Sequence, residues 1–264
     1  MSIFKSIWDD LARADATPVT PQTQHPAYKL PYVDESFMRS DRLRGVRLML
    51  ELEKPEQIMD DAGVESTVVL FGGARIPSPA KRHDARTATL AGLADFYDEA
   101  RKFAALATEE SLKRDGKELM VVTGGGPGVM EAGNLGAEEA GGKSIGLNIV
   151  LPHEQAPNTH VTPELCFNFH YFAIRKMHFL MRARAIAVFP GGFGTLDELF
   201  ETLTLIQTER MDPVPVLLFG EKFWRSIVNW EALSDAGTIS ASDLDLFRFV
   251  ETAEEAWAIL QDSL

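Results

Sequence analysis

The chain has 264 residues and a formal net charge of −13 at pH 7, with 39 acidic side chains against 26 lysines and arginines. This charge argues against nucleic acid or an anionic membrane as the main partner, since both attract basic surfaces. With 45% hydrophobic and 25% charged residues, the composition is that of a globular protein able to bury a full core. The start of the chain lacks the apolar segment of a secretory signal, and no run approaches the ~18 apolar residues of a membrane span. The single cysteine, Cys166, fits a reducing compartment, so we expect a cytoplasmic location.

The first 65 residues are predicted to precede the main domain. Residues 1–33 include a proline-rich polar stretch, which is typical of a flexible tail or linker. Residues 34–65 are predicted to form an N-terminal helical extension, because apolar side chains recur at helical spacing over 37–52. Pro55 is expected to break this helix, and Gly63 to end a second helical piece.

From residue 66 to 264, short β-branched runs alternate with helical segments. The predicted helices cover 84–114, a segment ending at 140, 171–181 and a segment opening at Thr195, and a polar loop follows the third strand. Residues 222–264 are predicted to form helices around a short strand at 247–250. The other predicted strands are 67–71, 118–122, 143–150, 165–169, 186–189 and 214–219. This alternation predicts one α/β domain: a Rossmann-like, doubly wound parallel sheet in a three-layer α/β/α arrangement.

Three of the predicted strands are followed within two residues by a glycine, at Gly72, Gly124 and Gly191. The carboxyl ends of parallel strands share one edge of the sheet, where ligands of such folds bind. The turn at 190–194, PGGFG, leads from a strand into a helix, an arrangement that holds phosphate on backbone N–H groups. The turn at 124–128, GGGPG, is neither a Walker A loop nor the dinucleotide fingerprint, so bound NAD is not indicated. Close helix–strand packing would also explain one such glycine turn.

Positive charge is concentrated between residues 165 and 196, which contain four basic residues and no acid. Arg182 and Arg184 are interpreted as a solvated helix face. Arg175 and Lys176 lie between two phenylalanines at helical spacing, on a half-apolar face just before the PGGFG turn. A cation in that position is suited to binding an anion, and arginine offers a bidentate fork.

Glu198 has two interpretations that the spacing leaves open. Thr195 and Glu198 have the spacing of a capping box, in which both side chains satisfy free N–H groups of the helix. Alternatively, Glu198 lies near enough to a bound phosphate to act on the ribose of a nucleotide, stabilising an oxocarbenium-like centre or activating water. Asp197 is interpreted as a surface acid that complements the helix dipole. The histidines show no metal-ligand spacing, and no lysine has the context of a Schiff-base residue.

Three motifs together resemble the LOG (Lonely Guy) family, whose members are often labelled lysine decarboxylases. They are PGGFGTLDE at 190–198, TGGGPGVMEAGNLGA at 123–137 and FAIRKMHF at 172–179, within a similarity that covers about 66–219. Characterised members of the family hydrolyse the N-glycosidic bond of nucleoside 5′-monophosphates, such as AMP or cytokinin riboside monophosphates, to free base and ribose 5-phosphate.

The resemblance implies that Arg175 and Glu198 are the catalytic residues. It implies no metal and no cofactor, and a homodimer or larger homo-oligomer with its active site near the subunit interface. The substrate-binding residues that it implies are Gly72, Arg75, Gly125, Gly126, Met130, Lys176, Gly191, Gly192, Gly194 and Thr195. The chain departs from the family at its first strand exit, FGGAR, and in the long segment before residue 66.

Two other functions remain open at the level of sequence. A protein of this fold could carry a nucleotide-like or pterin-cofactor ligand without cleaving it, because the phosphate-binding turns alone would suffice. A scaffold protein is the third alternative, in which Glu198 only caps a helix. The resemblance favours the enzyme, since a carrier needs neither Arg175 nor Glu198.

Overall fold

The computed structural model describes residues 5–152 and 156–264, which form two compact units, one up to Leu50 and one from Glu51 onward. The first four residues of the predicted tail and residues 153–155 of the predicted polar loop lie outside the described residues. The first unit contains short helices and three 3-10 turns. Its helices are α1 (Ile7–Asp15), α2 (Pro21–Gln24), α3 (Glu35–Met38) and the first part of α4 (Arg44–Asp61).

Helix α4 continues through Pro55, so the predicted break there is wrong. Proline has no N–H, and in a helix interior it leaves the carbonyl four residues earlier without its donor. That carbonyl belongs to Glu51, and it accepts a hydrogen bond from His178 of another helix at 3.1 Å. The tertiary contact supplies the missing donor, which a local reading of the sequence cannot reveal.

A seven-stranded parallel sheet forms the centre of the second unit, and its order is β4-β3-β2-β1-β5-β6-β7. The strands are β1 (Thr67–Phe71), β2 (Met120–Thr123), β3 (Ser144–Ile149), β4 (Cys166–Phe169), β5 (Ala183–Val188), β6 (Val216–Phe219) and β7 (Arg248–Val250). The second predicted strand begins two residues late, at Met120, because Leu119 has a left-handed backbone with φ of 56°.

Helices cover both faces of the sheet, which confirms the predicted doubly wound α/β class. They are α5 (Ala88–Gly92), α6 (Asp95–Lys113), α7 (Val129–Glu139), α8 (Phe172–Leu180), α9 (Phe193–Gln207), α10 (Glu221–Ile227), α11 (Trp230–Asp235) and α12 (Ala253–Gln261). Side chains of β1 alternate between two cores: Val68 and Leu70 face the core containing Phe103 of α6. Val69 and Phe71 face the core that contains Phe179 of α8. Burial on both faces explains the continuous apolar strands.

Two segments differ from their predicted form. The predicted helix at 84–114 divides into α5 and α6, because Thr87 caps α5 by accepting a hydrogen bond from Leu90 N–H, and the chain turns again before Asp95. Arg182 is not on a solvated helix face. It follows α8, is 13% exposed and pairs with Glu56 and Asp60, whereas Arg184 lies on β5 and is exposed.

The chain changes direction in the sheet between β1 and β5, which are neighbours although three strands separate them in sequence. The two strand exits are linked by a hydrogen bond from Gly73 N–H to the Pro190 carbonyl at 2.9 Å. A crevice beyond the strands at such a switch point is the usual ligand site of an open α/β sheet. Among the described residues, no helix combines the length and apolar character needed to traverse a bilayer.

Candidate active site

The PGGFG turn leads from β5 directly into α9, which begins at Phe193 with Gly192 as its N-cap. The predicted capping box is wrong, since the helix starts two residues before Thr195 and its N-cap makes no side-chain hydrogen bond. Thr195 instead lies buried against the turn, where its hydroxyl occupies the space that a Cβ at Gly191 would need. Glycine at 191 therefore permits the tight exit from β5, and Glu198 is left without a capping role.

The amino end of α9 has backbone N–H groups that find no acceptor within the helix. The N–H groups of the first helical residues, Phe193 to Thr195, precede any intrahelical partner. Around Gly192 and Gly194 there is open space: apart from the adjacent residues and the backbone of the helix itself, no heavy atom lies within 4 Å of the position that a Cβ would take. Free N–H groups, the positive end of the helix dipole and open space together form a site suited to an anion.

Arg175 of α8 is buried, at 8% exposure, and reaches the same edge of the sheet. Its Nε donates to the carbonyl of Leu147 at 2.7 Å, and its guanidinium carbon lies 5.0 Å from the centre of the Phe179 ring. Its Nη2 packs so closely on the second glycine turn that a Cβ at Gly124 would lie 2.5 Å away. The absence of a side chain at Gly124 therefore makes room for this guanidinium.

Glu198 faces Arg175, with 3.6 Å between Oε1 and Nη1, and the two side chains are 14% and 10% exposed. Burial raises the pKa of Glu198 to about 7 from an ordinary value of 4.5, although Arg175 acts in the opposite direction. Burial also lowers the pKa of Arg175, and Glu198 partly offsets this effect. A largely buried carboxyl with a pKa near neutrality is suited to acid–base or electrostatic catalysis.

Lys176, the next residue along α8, points to α9 as well but is already paired. Its Nζ lies 3.0 Å from Asp197 and 2.9 Å from Glu201. Burial alone would lower the pKa of Lys176, but hydrogen bonds to the two carboxylates outweigh it and raise the pKa. The lysine is therefore held charged, which suits an electrostatic role better than a nucleophilic one. Asp197 lies beyond the first turn of α9, so its contact with Lys176 replaces the predicted dipole role.

The second glycine turn, 124–128, is fixed by amide side chains that the sequence motifs do not include. Asn158 donates its backbone N–H to the Gly125 carbonyl at 2.8 Å and its side-chain N–H to the Gly126 carbonyl at 3.0 Å. Asn148 of β3 is buried with its amide against Gly125. Asn158 is distant from the turn in sequence, so no local spacing could have indicated it.

The remaining predicted binding residues differ in whether they pack against the glycine turns. Gly72 packs against Val129 at the start of α7, and Met130 packs over the second glycine turn, with its sulfur 2.8 Å from the Cβ position of Gly124. Arg75 is exposed, and its side chain takes part in none of the hydrogen bonds or ion pairs of the described residues. The structure thus brings Met130 close to Arg175 but leaves Arg75 at the rim. Within 5–152 and 156–264, no group of three or more His, Cys, Asp or Glu side chains is arranged to hold a metal ion.

Comparison with known families bears on this arrangement. The model of the family described as "Possible lysine decarboxylase" matches residues 130–260, from the start of α7 to α12, including the segments that carry Arg175 and Glu198. Over these residues the chain belongs to this family. The match agrees with the resemblance to LOG proteins, which often bear the same label. A comparison with curated proteins finds no match.

Solved structures similar to this member of the family have low sequence identity. The molybdenum cofactor binding protein from the phototrophic bacterium Rippkaea orientalis is 16% identical, over 75% of this chain and 96% of that chain, with a TM-score of 0.48. A Moco carrier protein from Chlamydomonas reinhardtii is 17% identical, over 75% of this chain and 97% of that chain, with a TM-score of 0.46.

Proposed function

We propose that this family member hydrolyses the N-glycosidic bond of nucleoside 5′-monophosphates, of the AMP or cytokinin riboside monophosphate type, to free base and ribose 5-phosphate. The observation that carries the proposal is the buried pair of Arg175 and Glu198 beside the open amino end of α9. This position unites an anion site with an ionisable carboxyl. The roles proposed for Arg175 and Glu198 require neither a metal nor an organic cofactor.

The 5′-phosphate would bind at the amino end of α9, in the space around Gly192 and Gly194. Free N–H groups there can each donate to a phosphate oxygen, and the helix dipole favours the negative charge. Arg175 would contact the same ligand from the side of the second glycine turn. Because Lys176 is paired with two carboxylates, it would have to leave one of them to contact the phosphate directly.

Glu198 lies about one helical turn beyond the phosphate donors, so it would face the ribose. Cleavage of an N-glycosidic bond passes through positive charge at C1′, and a nearby carboxylate stabilises that charge most strongly in a site with little water. The same carboxylate can orient the attacking water and accept its proton, because the pKa of Glu198 is raised by burial to about 7. Arg175 acts against this rise in pKa, so Glu198 is ionised in part of the protein molecules before the substrate binds.

A carrier that binds without cleaving would also use the glycine turns. It would not need a carboxyl buried beside the arginine, and burying such a group opposes the binding of an anionic ligand. Glu198 therefore favours the enzyme. A carrier would be indicated instead if nucleotides bind to the protein and are recovered intact.

The proposal is tested by incubating the protein with AMP and a panel of other monophosphates, and measuring free base and ribose 5-phosphate. Glu198→Gln should stay folded, since the amide keeps the shape of the side chain and its oxygen can still face Arg175, but turnover should fall by about 10²-fold or more. Glu209→Gln, at an exposed acid just beyond the other end of α9, is the matched control and should keep full activity. Full activity of Glu198→Gln would refute the role given to this residue.

A further inference from the structure

His178 is a buried histidine of α8 that the proposed reaction does not use. Its side chain is 0% exposed, and its ring lies 5.3 Å from that of Phe169 on β4. It comes three residues after Arg175, so both side chains leave neighbouring positions on the helix surface. A fully buried imidazole needs partners for both nitrogens.

One partner exists because of Pro55. The Glu51 carbonyl would accept from residue 55 in an uninterrupted helix, but proline has no N–H. The His178 Nε2 lies 3.1 Å from this carbonyl oxygen and is thus its donor. The proline in α4 therefore leaves free the acceptor to which the histidine in α8 binds.

The other partner is the carboxylate of Glu56, with Oε1 3.1 Å from the His178 Nδ1. Arg182 donates to the same carboxylate and also pairs with Asp60 at 2.6 Å. A carbonyl and a carboxylate can only accept, so hydrogen bonds to both groups require a proton on each ring nitrogen of His178.

The start of α8 is attached to the same segment of α4. The carboxylate of Glu51 accepts from the backbone N–H groups of His170 and Tyr171, each at 3.0 Å. Tyr171 is the N-cap of α8 and makes no side-chain cap of its own. Residues 51–60 of α4 thus hold α8 before its first turn, at His178 and just after its last turn.

These contacts fix the helix that presents Arg175 to the sheet edge. The Arg175 Nε must stay within 2.7 Å of the Leu147 carbonyl while its Nη1 faces Glu198. A small rotation of α8 about its axis would break the first contact. We infer that His178, as an imidazolium bound to the Glu51 carbonyl and the Glu56 carboxylate, is a positioning residue that keeps Arg175 in place for the reaction proposed above.

Nuclear magnetic resonance of the 264-residue chain at pH 7 tests this without any substrate. Ring ¹⁵N signals of His178 should show two protonated nitrogens, and exposed His83 serves as the control residue. The Arg175 Nε–H should exchange slowly with solvent. His178→Phe, which keeps a buried ring but loses both donors, should raise that exchange rate by roughly an order of magnitude; His83→Phe should leave it unchanged.

Pro55→Ala provides the second variant, since it returns an N–H to the Glu51 carbonyl. In this background the Glu51 carbonyl keeps a donor within α4 when the imidazole is lost, so His178→Phe should lower the urea midpoint of unfolding less than it does with Pro55 present. An equal loss in both backgrounds would refute the link between Pro55 and His178. If His178→Phe does not fold, the ring signals of wild type decide the matter. A ring nitrogen without a proton would overturn the inference.

Activity then separates this inference from the proposed function. If wild type releases base and His178→Phe lowers kcat with little change in KM for AMP, both stand. If wild type is inactive on every monophosphate, the proposed function fails, while the ring and guanidinium signals still decide the positioning role. Undiminished protection of Arg175 Nε–H in a folded His178→Phe variant would refute that role whatever the activity.

Discussion

Replacing Glu198 by glutamine should change how the stability of the protein depends on pH. Burial raises the pKa of Glu198 to about 7 in the folded state, against 4.5 for an ordinary glutamate. The folded protein therefore holds a proton that the unfolded chain has released between these two values. Its contribution to stability is fully present below pH 4.5 and is lost as the pH rises through 7.

The size of this effect follows from the two pKa values. One pKa unit corresponds to 1.36 kcal/mol, so the whole shift is worth about 3.4 kcal/mol, and about 2.5 kcal/mol of it is lost between pH 5 and pH 8. Glutamine does not titrate, whereas every other group titrates alike in both proteins. Over this range the wild type should therefore lose about 2.5 kcal/mol of unfolding free energy relative to Glu198→Gln.

Urea denaturation of both proteins at pH 5, 6, 7 and 8 measures this difference directly. The difference in unfolding free energy at any one pH also includes the effect of the altered contact with Arg175. The change of this difference with pH is therefore the informative quantity. Glu209→Gln should show a nearly constant difference from wild type, because that side chain is exposed. A pH-independent difference for Glu198→Gln would refute the buried, proton-holding state of Glu198.

The other predictions concern the ligand and its chemistry. Gly194→Ala should leave stability the same or slightly higher, because a Cβ meets only open space there. Calorimetry should show that it weakens binding of ribose 5-phosphate at least tenfold, since the phosphate would lie in that space. Unchanged binding would show that the phosphate does not bind at this position. Gly124→Ala should displace the guanidinium of Arg175 and lower kcat/KM for AMP by about tenfold or more with a small change in melting temperature, and wild-type kinetics would contradict the close packing described. The kcat/KM of wild type should rise with pH through about 7, as the carboxylate of Glu198 forms, and a fall through that pH would indicate that the protonated form is the reactive one.

Much of the fold follows from local sequence patterns. The strand at 67–71 is found as predicted, since five consecutive apolar or β-branched residues between polar segments suit a strand buried on both faces. Helix α4 is different, because local chemistry requires a break at Pro55, and the donor that prevents it comes from His178, more than 100 residues away. Contacts of this kind decide where a helix ends, and they are absent from any short window of sequence.

The site shows the same division. The two glycine turns and Arg175 could be located from motifs, because strand exits of a parallel sheet meet at one edge. The capping role of Thr195 and Glu198 could not be decided, since it depends on whether the helix starts at residue 193 or at 195, and the absence of a Cβ at Gly191 lets it start earlier. Asn148 and Asn158, which fix the second turn, come from a separate strand and loop.

The most direct test of the account is an analysis of the products formed from AMP. We expect free adenine and ribose 5-phosphate in equal amounts, exceeding one equivalent per protein molecule, with no adenosine or inorganic phosphate formed. Binding of AMP followed by recovery of the intact nucleotide would contradict the central claim that Arg175 and Glu198 form a hydrolytic site.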